Sequence, residues 1–137
     1  MGDIHVRYRE GALFTVRIRD HELLVDQPVE GGGTDLGPTP TELFVAGLAA
    51  CVAFYGARFL SRNGLPTDGM AVECGYSLSE DRPSRVADVG LVARLPEGLE
   101  SKWHGPLLRV MERCTVHNSL QHPPEVRIEL RAGEEAA

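Results

Sequence analysis

The feature that most constrains this chain is an uncharged run from Leu43 to Ala57, 15 residues lying between Glu42 and Arg58. It is preceded by Thr39-Pro40-Thr41-Glu42, the pattern of a helix start. The Thr39 hydroxyl can accept from the Glu42 amide, the Glu42 carboxylate can reach back to the Thr39 amide, and proline suits the first helical position. The helix is expected to run to about Arg62 and to stop at Asn63-Gly64, where glycine tolerates a left-handed cap. At 1.5 Å per residue its ~22 residues span roughly 33 Å. The uncharged run falls short of the ~20 residues that a bilayer crossing needs, so it reads as a buried helix. A helix without charge on any face must be enclosed on all sides, and 137 residues offer little material to do so. The missing cover points to a partner subunit.

The flanks read mostly as strands. Residues 4–9, 12–19 and 22–26 form three short ones, with turns at Glu10-Gly11 and Arg19-Asp20-His21. The glycine-rich stretch from Pro28 to Pro38 reads as a flexible loop. Residues 70–78 and 87–95 alternate with period two around a turn at Asp81-Arg82-Pro83-Ser84. A second helix is expected over 106–113, extending back toward Ser101. Pro123-Pro124 ends the stretch after Cys114, Val126, Ile128 and Leu130 mark a last strand, and 132–137 reads as a frayed tail. The expected order is β-β-β-α-β-β-α-β. Strands come in runs rather than alternating with helices, which gives an α+β class and a single domain over 1–137.

A net charge of −6 argues against nucleic acid as a partner, because phosphate neutralisation needs a cationic footprint. No basic and apolar leader is visible at the start of the sequence. The expected location is the cytoplasm, with no membrane association. Three cysteines in a reducing compartment call for packing, metal binding or redox chemistry rather than a disulfide framework.

Cys51 sits mid-helix among small neighbours, in Leu48-Ala49-Ala50-Cys51-Val52-Ala53. It reads either as a small core residue or as a reactive thiol, and the second needs a cation to stabilise the thiolate. Cys114 is expected at the carboxyl end of the second helix, which disfavours a thiolate and suits a resolving role. Cys74 falls on the inward period of its strand and reads as core. His104, Cys114, His117 and His122 make a weak metal pattern, since a Cys-x-x-His without a second tight pair is not a zinc signature.

Two motifs carry a resemblance to a known family. Gly37-Pro38-Thr39-Pro40-Thr41-Glu42-Leu43-Phe44 followed by Ala46-Gly47-Leu48-Ala49-Ala50-Cys51 resembles the central-helix motif of OsmC-like proteins. Arg113-Cys114-Thr115-Val116-His117-Asn118 resembles that family's second cysteine motif. The likeness extends over about residues 4–131. It implies an OsmC-like fold built as an intertwined homodimer around long buried central helices. It also implies a thiol-dependent peroxidase that reduces organic hydroperoxides with no cofactor and no metal. In that reading Cys51 is the peroxidatic thiolate and becomes a sulfenic acid. Cys114 condenses with it to a disulfide, and a dithiol reductant, such as a lipoyl group, resets the pair.

The same resemblance defines two further candidates and an alternative. The family's peroxidases carry a glutamate directly after the helix-initiating proline, where this chain has Thr41, and Glu42 follows one place later. Glu42 lies nine residues before Cys51, on the opposite helix face and ~13 Å away along the axis. The family's activating arginine lies in the first hairpin turn, which makes Arg9 the candidate here, with Arg17 and Arg19 as alternatives. The Asp26-Gln27-Pro28 and Gly37-to-Glu42 pattern is more similar to OsmC-like members of undefined activity. The alternative function is a non-peroxidatic dimer that binds a small ligand or senses redox state.

Overall fold

A computed structural model describes residues 2–133 of the protein. From residue 134 on, the expected tail lies outside the described residues. Strands β1 (Ile4–Glu10), β2 (Leu13–Ile18) and β3 (His21–Val25) form an antiparallel meander in the order β1-β2-β3. Tight turns make the meander: Gly11 and Arg19 both adopt positive φ, the conformation that reverses a strand in few residues. Phe14 of β2 faces Tyr8 on one side and Val25 on the other, and the Tyr8 and Phe14 rings meet edge to face.

The link from this sheet to the long helix is built around a buried carboxylate. Asp26 accepts hydrogen bonds from the amides of Gln27, Thr34 and Leu36 and from the Thr34 hydroxyl. These donors hold its carboxyl below the ordinary carboxylate value, the Gln27 amide foremost and Leu36 next, against the opposing effect of burial. Val29–Gly31 forms a short 3-10 turn. At Gly37 the backbone passes so close to the Leu24 carbonyl that a β-carbon would collide with it. The stretch expected as a flexible loop is therefore a tied connection, because one carboxylate satisfies donors from both of its ends.

Helix α1 (Pro40–Arg62) starts at the capping box expected of it. The Thr39 amide donates to Glu42 Oε1 at 2.8 Å and the Glu42 amide to Thr39 Oγ1 at 3.1 Å. Its buried stripe is Val45, Leu48, Val52, Gly56 and Leu60, residues recurring three or four apart as one helix face requires. Strands β4 (Ala71–Leu78) and β5 (Val86–Arg94) form a separate antiparallel hairpin. Helices α2 (His104–Met111) and α3 (Thr115–Gln121) complete the fold, giving the order β-β-β-α-β-β-α-α.

The core is the seam between α1, α2, α3 and the β4–β5 hairpin, centred on Leu48, Val52, Leu60, Leu107, Met111 and Cys114. Gly56 lets α1 approach closely: a β-carbon there would press on the methyl ends of Met111 and Met70. Among the described residues, α1 is the one helix long and apolar enough to cross a membrane by length and composition. In this fold its stripe forms the centre of a protein core.

The last element of the expected order is corrected. The strand foreseen around Val126, Ile128 and Leu130 is not formed, and these side chains are 76%, 87% and 93% exposed. A strand needs a neighbour for its amides and carbonyls, and this chain places none beside it. The unforeseen element is α3. In addition, α1 is covered on one face only by its own chain, and Phe44 and Phe54 stay exposed.

Candidate thiol site

Cys51 sits half-buried near the middle of α1 and packs against the core cluster that contains Cys114, which is fully buried. The chain folds this way because α2 ends at Met111 and a short turn then delivers Cys114 just ahead of a new helix rather than as the last residue of an old one. Cys114 has extended backbone angles and serves as the amino-terminal cap of α3, its Sγ accepting from the His117 amide at 3.3 Å. The expectation of a carboxyl-terminal position for Cys114 is thus corrected, and its electrostatics reverse. Amides now point at the sulfur instead of carbonyls.

Burial pushes the Cys114 thiol upward, and the neighbouring Cys51 sulfur adds to the rise through hydrogen bonding and charge, while the His117 and Val116 amides oppose it. The middle of α1 and the head of α3 thus bring the two cysteines to one region of the core. At rest Cys114 keeps its proton. A thiolate forming there meets a ready-made hydrogen bond from the His117 amide.

The surroundings lock this arrangement. Tyr55, one helical turn beyond Cys51, places its hydroxyl 2.9 Å from that of Thr115, the residue after Cys114. His117 Nδ1 lies 2.6 Å from the Glu112 carbonyl. Since a carbonyl can only accept, Nδ1 carries a proton. His117 also helps to line an apolar cavity of about 270 Å³ with Val52, Val72, Leu91, Ala93 and Leu108.

The other sequence candidates lie elsewhere. Glu42 is exposed and engaged in the capping box. Arg9 donates from Nη1 to Thr15 Oγ1 at 2.9 Å, within its own sheet. That sheet makes no extensive contact with α1, α2 or the β4–β5 hairpin, so neither Arg9 nor Glu42 is brought to Cys51 inside one chain. Of the alternatives, Arg17 donates to the Arg19 carbonyl in the same sheet. Cys74 is exposed rather than core. It shares a face with Val72, but the helices cover only the Val72 end of the hairpin, leaving Tyr76 and Leu78 exposed as well. Among the described residues, no group of three or more His, Cys, Asp or Glu side chains is placed to hold a metal ion.

Sequence reasoning missed Tyr55 and Thr115 as site residues, and weighed His117 only as part of a weak metal pattern. The single available signal was their closeness in the chain to the two cysteines.

A three-stranded meander, a central helix under a hairpin and a cysteine pair at the helix seam define an α+β protein with a paired-thiol site. Residues 32–129 match the family model described as OsmC-like protein, and the chain belongs to the OsmC-like family. Its fold is similar to that of an OsmC-like protein from Mycoplasma pneumoniae, with TM-score 0.77 and 19% identity over 90% of this chain and 89% of that one. It is also similar to an organic hydroperoxide resistance protein OsmC from Legionella pneumophila, with TM-score 0.67 and 22% identity over 87% and 89% of the two chains. The organic hydroperoxide resistance protein OhrB of Bacillus subtilis aligns with TM-score 0.64 and 21% identity over 96% and 98%. Among curated proteins, none matches the sequence.

Proposed function

We propose that the protein is a thiol-dependent peroxidase for organic hydroperoxides, working through Cys51 and Cys114. The observation that carries this reading is the packing of half-buried Cys51 against the core cluster that contains Cys114, buried at the head of α3. The Cys51 thiolate attacks the terminal peroxide oxygen and the O–O bond breaks. The products are a Cys51 sulfenic acid and an alkoxide, which leaves as the alcohol after taking a proton. Cys114 then attacks the sulfenic sulfur as its thiolate, supported by the His117 amide. This forms the Cys51–Cys114 disulfide and releases water. A dithiol such as a lipoyl group exchanges with the disulfide, becoming oxidised itself as both cysteines recover their protons. Organic peroxides are preferred because apolar walls adjoin the site.

The working unit in this reading is a homodimer. Three observations support it: the first sheet stands apart from its own helices, Phe44 and Phe54 of α1 are uncovered, and Val126, Ile128 and Leu130 present an unpaired apolar edge. A second protomer would cover α1 and deliver Arg9 to Cys51. Free thiols of this kind belong in the reducing cytoplasm.

The test is turnover of cumene hydroperoxide with a dithiol, compared between the wild type and Cys51→Ser. Turnover in the wild type alone supports the assignment, and equal turnover in both removes it. A second reading, a redox sensor, is favoured by the commitment of Glu42 to capping and by Thr41 in the preceding place. It predicts a peroxide-formed disulfide without sustained turnover.

A further inference from the structure

Beside the thiol pair lies a second cavity, of about 270 Å³, whose chemistry the peroxidase reading does not use. Arg58, Arg62 and Arg113 line it together, with Tyr55, Phe59 and Val110 as its apolar walls. No acidic side chain is among the lining residues. Across the described residues, none of these three guanidinium groups forms an ion pair. Arg62 and Arg113 are exposed and Arg58 is half-buried, so in a chain of net charge −6 three guanidinium groups gather at the solvent-facing rim of one cavity.

The carboxyl-terminal dipole of α1 accounts for Arg62, which lies in its last turn. Arg113 directly follows the C-cap of α2, so the dipole of that helix reaches it in the same way, but no helix end accounts for Arg58, which lies a full turn inside α1. Arg58 and Arg62 stand one helical turn apart, a spacing at which like charges repel. Arg58 stacks over the Tyr55 ring at 4.7 Å and the Phe54 ring at 5.2 Å. Stacking occupies the face of the guanidinium and leaves its in-plane N–H edge free for a carboxylate. Charged edges above aromatic and aliphatic walls match an amphipathic anion.

We infer that this cavity binds a small organic carboxylate, its charged head between Arg58, Arg62 and Arg113 and its apolar body against Tyr55, Phe59 and Val110. The site adjoins the thiols at two points: Arg113 directly precedes Cys114, and Tyr55 follows Cys51 by one helical turn. It stands independently of whether the cysteines turn over peroxide.

The protein carries its own reporter, since its single tryptophan, Trp103, meets the Phe59 ring edge to face at 6.0 Å. The experiment titrates the full-length protein with octanoate and with octan-1-ol and follows Trp103 fluorescence. Octanoate should bind saturably, about tenfold or more tighter than the alcohol, as charge-assisted hydrogen bonds imply. Added salt should weaken octanoate alone. Arg58→Gln and Arg113→Gln should each lose about tenfold for octanoate and leave octan-1-ol unchanged, which also shows that the variants fold. Arg113→Lys should recover part of the loss. Equal affinity for acid and alcohol, no saturable binding, or undiminished octanoate binding in Arg58→Gln/Arg113→Gln would each overturn the inference. Because no turnover is read, Cys51→Ser should bind octanoate as the wild type does, even if the peroxidase assignment fails.

Discussion

The hydroxyl of Tyr55 lies 2.9 Å from that of Thr115, across 60 residues of sequence. Through this bond α1, which carries Cys51, holds the first turn of α3, which Cys114 caps. The contact thus ties a near neighbour of one cysteine to the direct neighbour of the other. Tyr55 is a positioning residue in this scheme.

Tyr55→Phe removes the contact and keeps the ring. Its expected cost to stability is about 0.5–1 kcal/mol, the net worth of one hydrogen bond near solvent, read by urea unfolding. Formation of the Cys51–Cys114 disulfide after oxidation should slow, while the initial oxidation of Cys51 should not. An unchanged rate for disulfide closure would assign the bond to stability alone.

Alkali should destabilise the protein through Cys114. Burial, with Cys51 beside it, raises the native thiol above its ordinary value. An unfolded thiol ionises near ~8.5. Below that pH both states keep the proton and the group contributes its full stabilisation. Above it the unfolded chain releases a proton that the native state retains, so stability declines until the raised native value is passed. The slope cannot exceed about 1.4 kcal/mol per pH unit for one proton. Urea melts from pH 7 to 10 should show the decline in the wild type and a flatter profile in Cys114→Ala.

Acid should act through Asp26. Its carboxyl is held below the ordinary value by four donors. The stabilisation is complete above the unfolded value of about 3.9 and is lost as pH falls through the lower native one. Asp26→Asn places an amide group where acceptors are needed. Amide exchange at Thr34 and Leu36 should accelerate at neutral pH, and the acid dependence of exchange there should disappear. Continued protection in the variant would contradict the tie.

Alkylation should sort the three cysteines by exposure. Cys74 is exposed, Cys51 half-buried and Cys114 buried. Under native conditions iodoacetamide should label Cys74 readily and Cys114 last, with all three labelled after denaturation. Peptide mapping over time gives the order, and early labelling of Cys114 would show that α3 opens readily.

Much of this architecture is legible in the sequence, for local reasons. The capping box and the uncharged run define α1 to its ends, since both hydrogen bonds of the box form between residues three apart. The first three strands and the β4–β5 hairpin follow from period-two alternation and turn residues. What escaped depends on distant partners. Thr115–Gln121 offers only Val116 and Leu120 as apolar residues, and a cysteine is not among the usual capping residues, so α3 gives little warning. Asp26 stands in the sequence only as part of a family pattern at a strand end, and its structural role appears when the donors of a later loop surround it. Cys74 lies on the correct face of its strand, but how far the helices extend over that face is a tertiary matter. The edge at Val126–Leu130 alternates as a strand should and finds no neighbour within its own chain.

The central claim is most directly tested by treating the reduced protein with one equivalent of cumene hydroperoxide and mapping its disulfides by mass spectrometry. The account predicts a single bond joining Cys51 to Cys114, formed with release of one equivalent of cumyl alcohol, and a sulfenic acid trapped at Cys51 in Cys114→Ser. A disulfide involving Cys74, or alcohol release with both Cys51 and Cys114 still reduced, would contradict it.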